Sequence, residues 1–258
     1  MKKNLVFTLS FLLAMSFAAS AQGGKKIKIG VEGAYPPFSE IGTDGKLKGF
    51  DIDIANALCE QMKAQCTMVQ QEFDGLIPSL QAKKIDAIIA SMSITEDRKK
   101  VIEFSDKYYH TPARLISKKN AGMIASVAGM KGKRIGVQRT TTHDRFATDT
   151  FKESEIVRYA KQDDVFLDMA SGRLDAALAD QSAAALGFLV LPAGKNFAFF
   201  GPVYIDPLYF GAGAGIGLRK GDTALRDEFN NAIKAIRANG VYKKVNDKYF
   251  DFDIYGGK

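Results

Sequence analysis

The stretch Ile85 to Arg98, I-D-A-I-I-A-S-M-S-I-T-E-D-R, decides how the chain folds. Ile85 to Ala90 is a short apolar run between Lys84 and a Ser/Thr cluster, which predicts a strand buried in a parallel sheet. Ser91, Ser93 and Thr95 crowd its carboxyl end. Thr95 is a good helix N-cap, Glu96 and Asp97 suit a first turn, and Arg98 falls at the third helical position. A fork-shaped cation, hydroxyls and free backbone N–H donors at one strand-to-helix junction are what a small carboxylate needs. The plainer alternative is a solvated first-turn arginine paired with a neighbouring acid.

Upstream, K-I-K-I-G-V from Lys26 to Val31 reads as a strand with Glu32 just past its end, followed by the loop G-A-Y-P-P-F. Phe50, Ile54, Leu58 and Met62 fall four apart, and Ile52, Ala55 and Cys59 fill the same helical face. Met68 and Val69 mark a second strand, Phe73 lies in the next junction, and Asp74 is placed to cap a helix through Leu80. Strand, helix, strand, helix, strand implies a doubly wound α/β lobe.

The order then repeats. Arg134 to Gln138, R-I-G-V-Q, matches Lys28 to Glu32, K-I-G-V-E; Leu174 to Asp180, L-D-A-A-L-A-D, matches Ile85 to Ser91, I-D-A-I-I-A-S. Two matches in the same order imply two lobes of similar build. If the lobes face each other, the carboxyl ends of equivalent strands meet across one cleft, where ligands of open α/β sheets bind. The first lobe brings Glu32, Tyr35, Phe73, Ser91, Ser93 and Arg98, and the second brings Gln138, Thr140 to His143, and Asp180. Arg98 suits a carboxylate, Asp180 an α-ammonium, Tyr35 and Phe73 the faces of a side chain, and Glu32 a distal positive charge. An amino acid with a cationic side chain meets those four demands.

Tyr108 to Pro112 is extended in character and leads into the second lobe; Pro202 to Gly215 supplies the return crossing. Ile216 to Arg219 then reads as a strand and Asp222 to Asn239 as a helix that buries Leu225, Phe229, Ile233 and Ile236 and stops at Gly240. The ending Tyr249-Phe250-Asp251-Phe252 is expected to pack on the first lobe. The alternating Gly211, Gly213, Gly215 and Gly217 do not match a dinucleotide-binding spacing. His143 beside Asp144 lacks the strand-to-helix elbow of a nucleophile.

Lys2 and Lys3, the apolar run Leu5 to Ala19 and Ala19-Ser20-Ala21 predict a signal peptide cleaved after Ala21 and hence an exported protein. The remainder, roughly 240 residues, is enough for two lobes with cores of their own. A formal charge of +7, spread along the chain, calls for no nucleic-acid partner. Cys59 and Cys66 are the only cysteines, and in an oxidising compartment they are expected to pair, stapling a tight helix-to-strand loop. With only His110 and His143 as histidines, no metal site is expected.

Together, G-A-Y-P-P-F (33 to 38), G-F-D-I-D-I (49 to 54), F-D-G-L-I-P-S-L (73 to 80), S-M-S-I-T-E-D-R (91 to 98), G-R-L-D-A-A-L-A-D (172 to 180), the cysteine pair and the ending K-Y-F-D-F-D-I-Y-G span the exported chain. They resemble the periplasmic solute-binding proteins of ABC importers, in the arginine/ornithine- and lysine/arginine/ornithine-binding group. The resemblance implies the type II periplasmic binding protein fold: lobe 1 from 22–110 with 212–258, lobe 2 from 111–211, and a hinge at the crossings near 108–113 and 204–213.

It also implies that Arg98, with Ser93 and Thr142, holds a ligand carboxylate, that Asp180 and Ser91 face its ammonium, and that Tyr35 and Phe73 sandwich its side chain. Glu32 stands where lysine-accepting relatives carry aspartate, Ala90 replaces a common serine, and Gln138 and His143 depart from the lysine-type pattern. G-V-Q-R-T-T-T-H-D-R-F from Gly136 is closer to the arginine/ornithine type. The implied partners are arginine, ornithine or lysine and an inner-membrane ABC permease, for a periplasmic monomer with no cofactor and no catalytic residue. The rival readings are a prephenate- or arogenate-type dehydratase on the same fold, with Glu32 and His143 as acid and base, and a sensory ectodomain.

Overall fold

Two five-stranded sheets organise residues 24–256, which the computed structural model describes; the expected signal peptide lies outside them. The first runs, in spatial order, Gln65–Gln70, Lys26–Val31, Ala87–Ile88, Ala214–Arg219 and Ile102–Tyr109. The second runs Glu155–Tyr159, Arg134–Gln138, Ala176–Asp180, Ala113–Lys118 and Phe197–Tyr204. In each, three strands are parallel and the last two pairings are antiparallel. The expected strand Ile85 to Ala90 therefore sits in a mixed sheet, and its paired part is only Ala87–Ile88, although Ile85, Ala87, Ile88 and Ile89 are fully buried. Hydrogen bonds from Asp86 N to Lys28 O and from Ile89 N to Gly30 O carry the contact to either side.

The sequence repeat holds to the register. Ile29 pairs with Ala87 and Gly30 with Ile88, as Ile135 pairs with Ala176 and Gly136 with Ala177. Asp86 accepts from the Lys28 N–H at 2.9 Å and Asp175 from the Arg134 N–H at 2.8 Å. A Cβ at Gly30 would fall 2.4 Å from Ile85 Cδ1, and one at Gly136 2.4 Å from Leu174 Cδ1, so a side chain at either place would displace the apolar tip packed over it.

Helices cover the sheets by their apolar faces. Phe50–Gln61 buries Phe50, Ile54 and Leu58, each such side chain contributing roughly 1.5–3 kcal/mol, against Thr223–Ala238 and Val241–Tyr249. The helix Val241–Tyr249 was not among the expected elements; it starts directly after Gly240, whose φ of 81° ends its predecessor. Phe250 and Ile254 then enter the first-lobe core, as expected of the chain's ending. Cys59 and Cys66 are disulfide-bonded. The bridge sits at the amino-terminal end of Gln65–Gln70, so it staples the first lobe away from the strand ends that face the cleft.

Two local expectations need correction, and one small sheet was not expected. Asp74 caps no helix: it lies in the 3₁₀ turn Phe73–Gly75, and Leu76–Gln81 begins after Gly75 without a side-chain cap. Pro202 is not in a crossing but inside the edge strand Phe197–Tyr204, where a register shift between Phe200 and Tyr204 accommodates a residue without an N–H. The small sheet formed by Ala34–Tyr35, Ser39–Ile41 and Leu47–Lys48 has strands too short for a periodic signal.

The chain passes between the sheets at 110–112 and returns at 211–213, after the short helix Pro207–Phe210 has set Phe210 into the second-lobe core. Gly211 has φ +68°, and a Cβ there would meet Ile94 O at 1.9 Å, so the return strand is squeezed against the S-M-S-I-T segment. No helix among the described residues is long and apolar enough to cross a membrane.

Candidate functional site

The cleft between the lobes is built from the carboxyl ends of the repeated strands. Ser91 is held in the left-handed region, φ 53°, by bonds at both ends: its N–H donates to Tyr108 Oη at 3.0 Å and its Oγ to Asp51 Oδ2 at 2.9 Å. Tyr108 Oη in turn donates to Asp51 Oδ1 at 2.8 Å. Asp51 is fully buried, and burial pushes its carboxyl up to about 7 against the pull of these two hydroxyl donors. This support behind Ser91 was not anticipated, since Asp51 reads as an ordinary first-turn acid.

Thr95 caps its helix, its Oγ1 accepting from Arg98 N at 3.3 Å, and Arg98 takes the third helical place, as expected. Its guanidinium donates to Ser93 O at 3.0 Å and, across the cleft, to Thr140 O at 3.3 Å, and lies 5.4 Å from the Phe73 ring centroid. Burial lowers its pKa to about 10, which leaves it charged. On the facing lobe, Thr141 caps the helix Thr142–Thr150 by accepting from Asp144 N at 3.1 Å while donating to Gln138 O at 2.7 Å. The T-T-T-H-D run carries this capping signal, and Thr141 lies within the Thr140 to His143 stretch expected at the cleft.

Asp180 ends its strand and caps the helix Gln181–Ala184, accepting from Ser182 N at 2.8 Å and Ala183 N at 3.0 Å. Its other oxygen accepts from the Thr111 hydroxyl in the first crossing, a partner with no sequence signal. Burial raises its carboxyl to about 6 despite those donors. Glu32, 4% exposed, accepts from Gln138 Nε2 at 2.5 Å across the cleft, and burial pushes it up to about 8 against the pull of that bond. His143 is held down to about 4 by burial and by the nearby Arg98, so it is neutral.

Two adjoining cavities bring these residues together. One is lined by Glu32, Tyr35, Phe73, Ala90, Ser91, Ser93 and Arg98 from the first lobe and by Gln138, Thr141, Thr142 and His143 from the second. The other shares Tyr35, Ser91, Ser93, Thr142 and His143 and adds Asp180 with Tyr109 and Thr111. All the expected ligand contacts thus line one or other of two cavities that share five residues. Among the described residues no cluster of His, Cys, Asp or Glu is arranged to hold a metal.

Residues 27–252 match the bacterial extracellular solute-binding proteins, family 3. The chain belongs to that family. It is 52% identical to the L-arginine-binding protein of Pseudomonas aeruginosa over 96% of this chain and 95% of that one. It is 47% identical to the histidine-binding periplasmic protein of Salmonella typhimurium, over 99% and 100%. Among solved structures, a Salmonella typhimurium periplasmic binding protein described as highly arginine-specific superposes with a TM-score of 0.82 at 35% identity, over 88% of this chain and all of that one.

As in a family 3 solute-binding protein, the fold is a two-lobed clamp, and here the lobes are in contact. Beyond the cavities, Arg139 of the second lobe pairs with Glu72 at 2.9 Å and Asp74 at 2.6 Å of the first. Arg145 pairs with Asp97 in the same sense. These ion pairs fence the outer rim of the solute-binding cleft.

Proposed function

We propose that the protein captures a cationic L-amino acid, arginine or ornithine ahead of lysine and histidine, and delivers it to an inner-membrane ABC permease from the periplasm. One observation carries the reading: the cleft buries the carboxylates of Glu32 and Asp180 in its walls, and Asp51 behind Ser91, against the single guanidinium of Arg98. A buried carboxylate without a cation is costly. A ligand that brings two positive groups and one carboxylate gives Glu32, Asp180 and Arg98 each an opposite charge, whereas a neutral amino acid leaves Glu32 without one.

In this reading Arg98, flanked by Ser93 and Thr142, receives the ligand carboxylate; Asp180 and the carbonyl of Ser91 receive the α-ammonium; Tyr35 and Phe73 cover the aliphatic part; Glu32 takes the distal cation. Ala90, Gln138 and His143 complete the wall. The lobes run from 22–110 with 212–258 and from 111–211, and the crossings at 110–112 and 211–213 are the hinge on which the clamp closes. The relatives named for arginine and histidine support the ligand class, and their naming as binding proteins favours a carrier over a dehydratase. The carrier acts as a monomer.

Isothermal titration of the refolded, ligand-stripped protein with arginine, ornithine, lysine, histidine and glutamine tests this. Tight binding of arginine or ornithine with weak binding of glutamine is expected. Preference for a neutral or acidic amino acid would overturn the pocket chemistry, and turnover of prephenate would put the dehydratase in its place.

A further inference from the structure

Glu32 and Gln138 stand at equivalent places in the two repeats, and their side chains meet inside the closed cleft, 4% and 2% exposed. The Gln138 amide has two N–H donors, and its Nε2 reaches two acceptors, Glu32 Oε1 at 2.5 Å and Ala160 O at 3.2 Å. Both partners are acceptors, so the orientation of the amide is fixed with Nε2 toward them. What it offers besides is Oε1, an acceptor beside the carboxylate of Glu32. Arg98, the one cation among the described residues lining this cavity, is committed to the carbonyl oxygens of Ser93 and Thr140.

A carboxylate and an amide oxygen side by side form an extended acceptor. A planar guanidinium can serve both from one rigid plane with several N–H groups, and it is weakly hydrated, so burying it costs little. A primary ammonium concentrates three donors at one point and holds its water more tightly. It can satisfy Glu32 but does not span the pair.

We propose that Gln138 is a specificity-determining residue, making with Glu32 an end to the pocket that selects a guanidinium over a primary ammonium, so that arginine ranks ahead of ornithine as well as of lysine. This rests on the cationic amino-acid reading above. If Gln138 served only to fasten the lobes, its loss would weaken every ligand alike.

The test is titration of arginine, lysine and ornithine into the ligand-stripped wild-type protein and into Gln138→Leu and Gln138→Met. The wild type should favour arginine over lysine by about tenfold or more, the scale of one hydrogen bond to a charged group. Both variants should bring that ratio to within about threefold, with most of the change on the arginine side. A wild type that binds lysine as tightly as arginine overturns the proposal without any variant. So does a ratio that survives both substitutions. Failure of the wild type to bind any of the three would sink the underlying reading instead, and an unchanged ratio with tight arginine binding would leave that reading standing.

Discussion

The carboxylate of Glu32 and the carboxamide of Gln138 hydrogen-bond across the cleft at 2.5 Å, joining the ends of the two strands that the internal repeat makes equivalent. The same pair of strands is matched at the other end by Asp86 on Lys28 N–H and Asp175 on Arg134 N–H. One half of the repeat is thus structural and fixes the register of each lobe. The other half has been given over to the cleft, where an acid faces an amide rather than its own likeness, which avoids two buried carboxylates in contact.

Replacing Arg98 by alanine should reduce arginine affinity by about 2–5 kcal/mol, because the ligand carboxylate would be buried without its partner. Arg98→Lys keeps the charge and loses the fork that reaches both Ser93 O and Thr140 O, so it should fall between. Titration calorimetry reads both. Unchanged affinity in the alanine variant would remove the carboxylate from this position.

The buried acids give the stability a defined pH dependence. Burial raises Glu32 from 4.5 to about 8, Asp51 from 3.8 to about 7 and Asp180 from 3.8 to about 6. Each therefore holds its proton more tightly folded than unfolded, and the stability this contributes is fully present below the ordinary carboxylate range and is lost as pH rises through the folded value. Ligand-free protein should melt at a lower temperature at pH 8 than at pH 5.5. Saturating arginine, whose cations favour the ionised carboxylates, should raise the melting temperature more at pH 8. Glu32→Gln should flatten the slope above pH 7, and an arginine-induced shift independent of pH would count against the charge balance drawn above.

Asp51 shows where the sequence was legible and where it was not. The repeat, the helix face of Phe50–Gln61 and the cap at Thr95 all announce themselves because their partners lie within a few residues or recur at fixed spacing. Asp51 is held by Ser91 and Tyr108, forty and more residues away, and nothing local marks it as buried. Val241–Tyr249 escaped notice because only Tyr242 and Val245 mark its apolar face among lysines and an aspartate. Pro202 was placed at the start of the return crossing because an edge strand with a bulge cannot be told from a crossing in one dimension. In the cleft, strand-end residues and the Thr140 to His143 stretch were readable, whereas Thr111 became apparent only once the crossing was in place.

Asp51→Leu should accordingly destabilise the fold by about 2–4 kcal/mol, because it strands the Ser91 and Tyr108 hydroxyls in a buried space. Asp51→Asn should cost less, since it keeps an acceptor for one of them. Chemical denaturation measures both. Arginine affinity should fall in parallel, because Ser91 loses the bond that holds its left-handed backbone.

Cys59→Ser with Cys66→Ser should lower stability by about 2.5 kcal/mol, the chain-entropy value for so short a loop. The bridge lies at the strand ends remote from the cleft, so the dissociation constant for arginine should stay within about twofold at temperatures where the variant is folded. A large loss of affinity with stability intact would mean that the first-lobe staple shapes the pocket at a distance.

The rim pairs of Arg139 with Glu72 and Asp74, and of Arg145 with Asp97, link the lobes without lining the ligand cavity of Glu32 and Arg98. They join residues of the two lobes, so they add to closure and not to ligand contact. Each arginine is 41% exposed as a side chain, so each contact is screened and contributes about 0.2–1 kcal/mol. The double variant Arg139→Ala/Arg145→Ala should therefore weaken arginine binding by about threefold to tenfold, through faster release, while leaving the ranking of ligands unchanged. The wild type should lose part of its affinity between 50 and about 500 mM salt as these pairs are screened, and the double variant should lose less. Stopped-flow dissociation at the two salt concentrations reads both effects. Release rates that match in wild type and variant would show that ligand contacts alone hold the cleft shut.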